Sequence, residues 1–390
     1  MRLLMLPTYF LPARASVTRV MRHMQRAEAF HLQLESGRRE RSHHSEHRLS
    51  EAINRCLMEY RIRRGSRLLS SAADAPDIPH EEKVDKMKQK SLDGDFVTNI
   101  DREQVRMFSS SEVQDAIHKV NKDAANAIDG WTKDLIVQAA EVNSEIYALL
   151  ADLLHWLLTA ELSQFTRDCL VMSRGVGIPK PDGGVRPICV SSIFVKLLGT
   201  LCTAEDDKRP SENQYAIGTK DGAKRIVHKV KDFIKRKGKQ HSAVLRFDVS
   251  NAYGTMSRTL LQKLMETADH PLRQYFRLVY GRKSHIAVFG PEGKTDFIPL
   301  GEGVKQGDAT SSLLFCLGVD VALGELNKFL SENGIYAEIY MYMDDLTICV
   351  DVEHADLVSK AAIAALNKIG FKVNEDKSKI LTDMVGQFVL

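Results

Sequence analysis

The stretch YMYMDDLTICV, from Tyr340 to Val350, sets two adjacent aspartates, Asp344 and Asp345, inside an apolar run rich in strand formers. Successive side chains of a strand point to opposite faces, so neighbours within one strand cannot share a task. A tight turn removes the conflict. The residues before and after, YAEIYMYM and LTICV, are rich in Tyr, Ile, Val and Thr and read as two strands. Met-Asp-Asp then sits at the bend of a hairpin, and both carboxylates project near one point. Asp also favours turns on its own account, so the hairpin alone leaves their purpose open.

A further aspartate, Asp248, ends an apolar strand in LRFDVSNAY. Alone it reads as a residue closing a strand. On adjacent strands of one sheet, however, a strand-end carboxylate and a hairpin-tip carboxylate can meet. At 4 Å each pair of unscreened carboxylates repels by about 4 kcal/mol at an effective dielectric near 20. Divalent cations relieve that repulsion. Mg2+ takes one or two carboxylates and fills its other positions with water and phosphate oxygens. Two such ions ~4 Å apart stabilise the attacking and leaving oxygens of phosphoryl transfer, which is polymerase chemistry.

A chain of 390 residues is too long for one compact core, so two or three subdomains are expected. With 44% hydrophobic and 27% charged residues, the composition excludes disordered, collagenous and fibrous classes. Net charge is only +3, so any basic surface is local. Cys56, Cys169, Cys189, Cys202, Cys316 and Cys349 form no CxxC pair, which argues against a zinc site of paired cysteines and for free thiols in a reducing compartment. The expected location is intracellular, nuclear or cytoplasmic, with an organelle left open: the first acidic residue, Glu28, follows five arginines, a weak transit-peptide pattern. No apolar run reaches transmembrane length. IYALLADLLHWLLTAEL, interrupted by Asp152 and His155, reads as a buried helix, and no membrane partner is expected.

The chain changes character near residue 83, where Lys83 is the first lysine. Residues 1–82 read as an Arg-rich extension, partly disordered, with a helix over 49–60. Beyond it, Ser109 and Glu112 form a capping-box pattern ahead of a helical stripe. GVGIPKPDGGVRPICV reads as two strands around a turn, and AKRIVHKVKDFIKRKGK as a basic amphipathic helix stopped by glycine. The mixed order predicts an α+β fold with an antiparallel sheet carrying the hairpin.

IPKPDGGVRPI, FDVSNAY, GVKQGDATSSLLF, YMDD and GFKVNEDKSKIL occur in this order. Together they resemble the successive blocks of a reverse transcriptase, and most closely that of non-LTR (LINE-type) retrotransposons, from about residue 110 to the end. The resemblance implies fingers within 83–240 and a polymerase palm over 241–390, with the thumb absent or truncated after GQFVL. It implies RNA-templated DNA synthesis with two Mg2+ ions, or Mn2+ in their place, and an RNA template, a DNA or RNA primer and dNTPs as partners. By position, Asp248 and Asp344 match the metal-binding pair, Asp345 a weaker ligand or support, and the backbone of Val249 a further metal contact. Tyr253 matches the ring that excludes a sugar 2′-hydroxyl. Gln306, Gly307 and Asp308 match the block lining the nucleotide and template site, although Ala309 and Ser312 stand where proline is usual. Lys180 and Arg186 match finger residues over the triphosphate, and Lys377 a lysine that protonates the leaving pyrophosphate. Two other readings share the palm: a group II intron or retron-type reverse transcriptase, and a silent palm that only binds RNA. An RNA-dependent RNA polymerase fits less well, because that family generally carries Gly-Asp-Asp at the hairpin and lacks the ring at Tyr253.

Overall fold

The computed structural model describes residues 78–121, 127–204, 210–266, 270–290 and 294–382. The expected helix over 49–60, Cys56 and the C-terminal GQFVL lie outside the described residues. Helices α1 (His80–Lys90), α2 (Ser110–Lys119), α3 (Lys133–Val142), α4 (Ile146–Thr159) and α5 (Gln164–Val171) come first. Strands β1 (Ser173–Pro179) and β2 (Val185–Val190) follow, then α6 (Ile193–Ala204) and α7 (Gly222–Lys237). The rest runs β3 (Ser242–Phe247), β4 (Val249–Ser250), α8 (Ala252–Thr255), α9 (Arg258–Glu266), α10 (Arg273–Val279), β5 (Ser284–Phe289) and β6 (Thr295–Leu300). It closes with α11 (Ser311–Glu332), β7 (Ala337–Tyr342), β8 (Asp345–Asp351), α12 (Ala355–Lys368), β9 (Lys372–Val373) and β10 (Lys379–Leu381). Among the described residues two units separate by their contacts: a small one of residues 78–86 and 177–186, and a large one holding the remainder.

Local signals place several boundaries. Ser109 caps α2 as half of a capping box: its hydroxyl accepts from the Glu112 amide, and the Glu112 carboxylate accepts from the Ser109 amide. Hydrogen bonds from Arg106 and Ser109 hold that carboxylate down to about 2. In α4, Leu150, Ala151, Leu154, Leu157 and Leu158 are buried, while Asp152 is exposed. Gly238 stops α7 with φ +85°, a conformation glycine adopts without strain. No single helix among the described residues is long and apolar enough to cross a membrane.

The large unit is built on an antiparallel sheet, β10-β3-β8-β7. Side-chain alternation gives it two different faces. Ala243, Leu245, Phe247, Ile339, Met341, Leu346, Ile348 and Val350 form one face and are all buried. Helix α12 packs on β3 and β8, and α11 packs on α12. The other face is divided along its length. At one end Val244, Tyr340 and Cys349 pack under Phe233, Ile226, Val230 and Ile234 of α7. At the end nearest the hairpin turn, Arg246 and Asp345 are exposed.

A second sheet, β2-β1-β5-β6, contains a parallel pair, Ser173 opposite Ile286 and Arg174 opposite Ala287. Gly175 permits that approach, since a Cβ there would lie 2.5 Å from Ile286 and 2.8 Å from Val288. Beside this sheet Arg258 is fully buried. Its guanidinium donates to the carbonyls of Gly303, Tyr280, Arg282 and Leu300. Burial lowers its pKa to about 10. Arg258→Met is expected to cost ~3 kcal/mol or more, because buried carbonyls lose their donors; equilibrium unfolding in urea measures it. The described cysteines are all free, and burial pushes the thiols of Cys189, Cys202, Cys316 and Cys349 up to about 12.

Candidate active site

Tyr342 pairs with Asp345, so Met343 and Asp344 alone close the hairpin between β7 and β8. Such loops need positive φ at the first central position, which usually selects glycine or asparagine. Here Met343 takes it, with φ +55°. A non-glycine residue in this region costs ~1–3 kcal/mol and persists only where its surroundings fix it. The surroundings are visible. The Met343 amide donates to Gln214 Oε1 at 3.1 Å, and the Tyr253 hydroxyl lies 3.7 Å from Met343 Sδ. Residues 213–215 line the free edge of β7: the Met341 amide donates to the Asn213 carbonyl, and the Tyr215 amide to the Met341 carbonyl. Gln214 is 3% exposed, and its Oε1 also accepts from the Ala216 amide. The sequence marks Gln214 only as one polar residue in the stretch ENQYAIG. Gln214→Leu keeps the volume but strands two amides, and is expected to cost ~1–3 kcal/mol. A lowered thermal midpoint checks it.

Asp248 sits one residue past the end of β3, whose last pair is Phe247 with Leu346. It therefore lies at the same end of the sheet as the Met343–Asp344 turn, on the neighbouring strand. Alternation from buried Phe247 turns its side chain to the open face. The β9–β10 turn clasps its backbone: the Asp248 amide donates to Ser378 Oγ at 3.0 Å, and the Asn374 amide to the Asp248 carbonyl at 2.8 Å. These two residues of NEDKSK were not expected to hold the strand end. Val249 is buried and pairs with Val373 in β9. Lys377 is exposed and adjoins Ser378, placing it in the same turn.

The three carboxylates expected to converge are not gathered into one metal-holding group. Among the described residues no group of three or more His, Cys, Asp and Glu side chains is placed to hold a metal ion. Asp344 and Asp248 share one end of the sheet and are half-buried. Asp345 begins β8, is exposed, and faces Arg246 at 3.5 Å. The groups that Asp248, Asp344 and the Val249 main chain can offer are all oxygens. That suits a hard cation such as Mg2+, which needs no more than two carboxylates.

Tyr253, in α8, stacks on Phe315 with centroids 4.6 Å apart and planes 9° apart. Its hydroxyl lies 3.3 Å from Ser312 Oγ, and burial raises its pKa. The adjacent loop holds Gln306, half-buried, and Gly307 at φ +105°. A Cβ at Gly307 would lie 2.8 Å from the Cys189 carbonyl, and the Cys189 amide donates to the Gln306 carbonyl at 2.8 Å. Asp308 does not line an open site. It is 6% exposed, and its carboxylate accepts from Tyr275, Tyr280 and Thr310. Lys305 is buried too, donates to the Val171 carbonyl, and has its pKa pushed down to about 8 by burial. The charged pair flanking Gln306 and Gly307 thus anchors the loop from below. Lys180 and Arg186 belong to the small unit. Lys180 opens its turn, pairing with Gly184 at 2.8 Å, and Arg186 is exposed.

The fold is an α+β polymerase palm. The family described as reverse transcriptase (RNA-dependent DNA polymerase) matches residues 178–387, and the chain belongs to that family. It is 24% identical over 272 residues to the Retrotransposable element SLACS 132 kDa protein of Trypanosoma brucei gambiense. That match takes in 67% of this chain but only 22% of the relative. Solved structures that resemble it include apo telomerase from Candida tropicalis truncated from its C-terminal domain, with a TM-score of 0.43, 15% identity, and 56% and 52% of the two chains covered. Telomerase from Candida albicans in complex with a TWJ fragment of telomeric RNA gives 0.44, 15%, and 58% and 45%.

Proposed function

We propose that this chain carries the polymerase centre of a LINE-type retroelement and copies RNA into DNA by two-metal nucleotidyl transfer. The observation that carries the reading is the placement of Asp248, just past the end of β3, and Asp344, in the β7–β8 turn, at one end of an antiparallel sheet. Asp248, Asp344 and the Val249 backbone would hold two Mg2+ or Mn2+ ions, with Asp345 in support. When bound, such ions polarise the attacking 3′-hydroxyl and neutralise charge on the transferred phosphate. The residues around them supply position. Tyr253 walls the sugar, and Gln306 and Gly307 bring backbone close to the base pair. Lys180 and Arg186 neutralise the triphosphate, arginine with paired donors to its oxygens. Lys377 delivers a proton to the departing pyrophosphate. RNA template, primer and dNTPs are the substrates. Primer extension on an RNA template with dNTPs and Mg2+ or Mn2+ tests the reading; a folded chain that adds no nucleotide overturns it.

A further inference from the structure

Helix α7 carries seven basic residues against one acidic residue, Asp232, in a chain whose net charge is only +3. Its apolar stripe, buried Phe233 with half-buried Ile226, Val230 and Ile234, packs on Val244, Tyr340 and Cys349. By alternation those three share a face with Arg246 and Asp345, so α7 lies on the catalytic face of the sheet, not behind it. Its direction is also fixed. Gly222, at its start, packs so closely on the Tyr215 backbone that a Cβ would lie 1.8 Å from that carbonyl, and Tyr215 bonds Met341, two residues before the catalytic turn. At its far end Arg236 pairs with Glu338 and Lys237 with Asp351. The helix therefore begins beside the turn and runs away from it.

Not all its cations are engaged by the protein. Lys229 lies over the rings of Tyr215 and Tyr340. Lys224, Arg225, Lys231 and Lys235 are exposed and make no ion pair among the described residues. Lys224, Lys231 and Lys235 recur at helical spacing and form one stripe, with His228 between them. Sixteen residues of helix extend about 24 Å, a length over which one DNA strand carries about seven phosphates at 3.4 Å each. We infer that this stripe grips the sugar–phosphate backbone of the template–primer duplex as it leaves the catalytic turn. The inference rests on the proposed polymerase reading and adds to it a duplex-holding surface that none of the polymerase motifs contains.

The test uses the full chain and an RNA/DNA hybrid duplex as probe. A triple variant, Lys224→Gln with Lys231→Gln and Lys235→Gln, is compared with wild type by titrating binding against salt. Each lost phosphate contact lowers the slope of log affinity against log salt by about 0.9, so the slope should fall by roughly 2 to 3. A control removes equal charge from α11 and α12 through Lys328→Gln, Lys360→Gln and Lys368→Gln, and should keep the wild-type slope. An unchanged thermal midpoint shows that the triple variant is folded. If wild type extends primers and the triple variant keeps the wild-type slope, this inference fails alone. A wild type that binds duplex and loses slope only in the triple variant, yet adds no nucleotide, overturns the polymerase reading and leaves the stripe as a duplex-binding surface alone. A wild type that binds no duplex overturns both.

Discussion

Asp344→Asn is expected to leave a folded chain whose primer extension has fallen by on the order of 10³-fold or more, the scale on which a preorganised charge partner at a reacting phosphate counts. The substitution is chosen for what it keeps. Asn tolerates turn positions as Asp does, so the two-residue loop, with Met343 at φ +55° held by Gln214, should survive. What is lost is one negative charge at the end of the sheet where Asp248 also sits. Asp345→Asn is the informative contrast. Asp345 is exposed and its partner is the exposed Arg246 at 3.5 Å, and pairs of this kind contribute ~0–1 kcal/mol. The expected fall there is ~10-fold or less. Equal effects at the two positions would mean that the adjacent aspartates act as one unit, and near-normal synthesis by Asp344→Asn would remove that residue from the mechanism.

The hairpin was legible because the sequence presents a conflict that only a turn resolves: two charged neighbours between two apolar strands. The strand end at Asp248 was legible for a similar reason, since Asn251, with φ +52°, breaks the run just after it. The structure that supports these residues was not. Strand β5, SHIAVF, has no alternation, because Ile286, Ala287 and Val288 are all buried, and a run so short has no periodic signature. Its parallel pairing with β1 joins segments over a hundred residues apart, a contact no local pattern encodes. Asp308 shows the reverse failure. Its neighbours suggest an open site, yet the tyrosines that bury it come from α10 and the residue after it, far off in sequence. Asn374 and Ser378 look like turn residues, and only the fold reveals that their turn closes on Asp248. The general pattern is that groups able to act on a substrate announce themselves by violating local rules, whereas the groups that hold them obey those rules.

Tyr253→Val is expected to reduce discrimination against ribonucleotides by ~10²-fold or more, with a much smaller change in the use of deoxynucleotides. The ring is fixed in place, not merely present. It stacks on Phe315, which stacks on Phe371 at 5.5 Å, and its hydroxyl reaches Ser312 and the sulfur of Met343. Its outer edge thus lies beside the turn that carries Asp344. A ring held on two sides would exclude an added hydroxyl by steric conflict, and specificity is the difference such a conflict makes between two substrates. Valine removes the ring and the conflict together. It also removes a stacked side chain from a well-packed cluster, at ~2–4 kcal/mol of stability, so total activity will fall for reasons unrelated to the sugar. The ratio of ribo- to deoxynucleotide incorporation, measured on one preparation, is independent of the fraction folded and isolates the steric effect. Tyr253→Phe supplies the counterpart: it keeps the ring and loses only the hydroxyl contacts, and should retain the wild-type ratio. If Tyr253→Val leaves the ratio unchanged while the unfolding midpoint drops, the ring is a packing residue of the palm and the sugar is selected elsewhere. If Tyr253→Phe loses selectivity as fully as Tyr253→Val, the hydroxyl that bridges Ser312 and Met343, and not the bulk of the ring, is the selecting group.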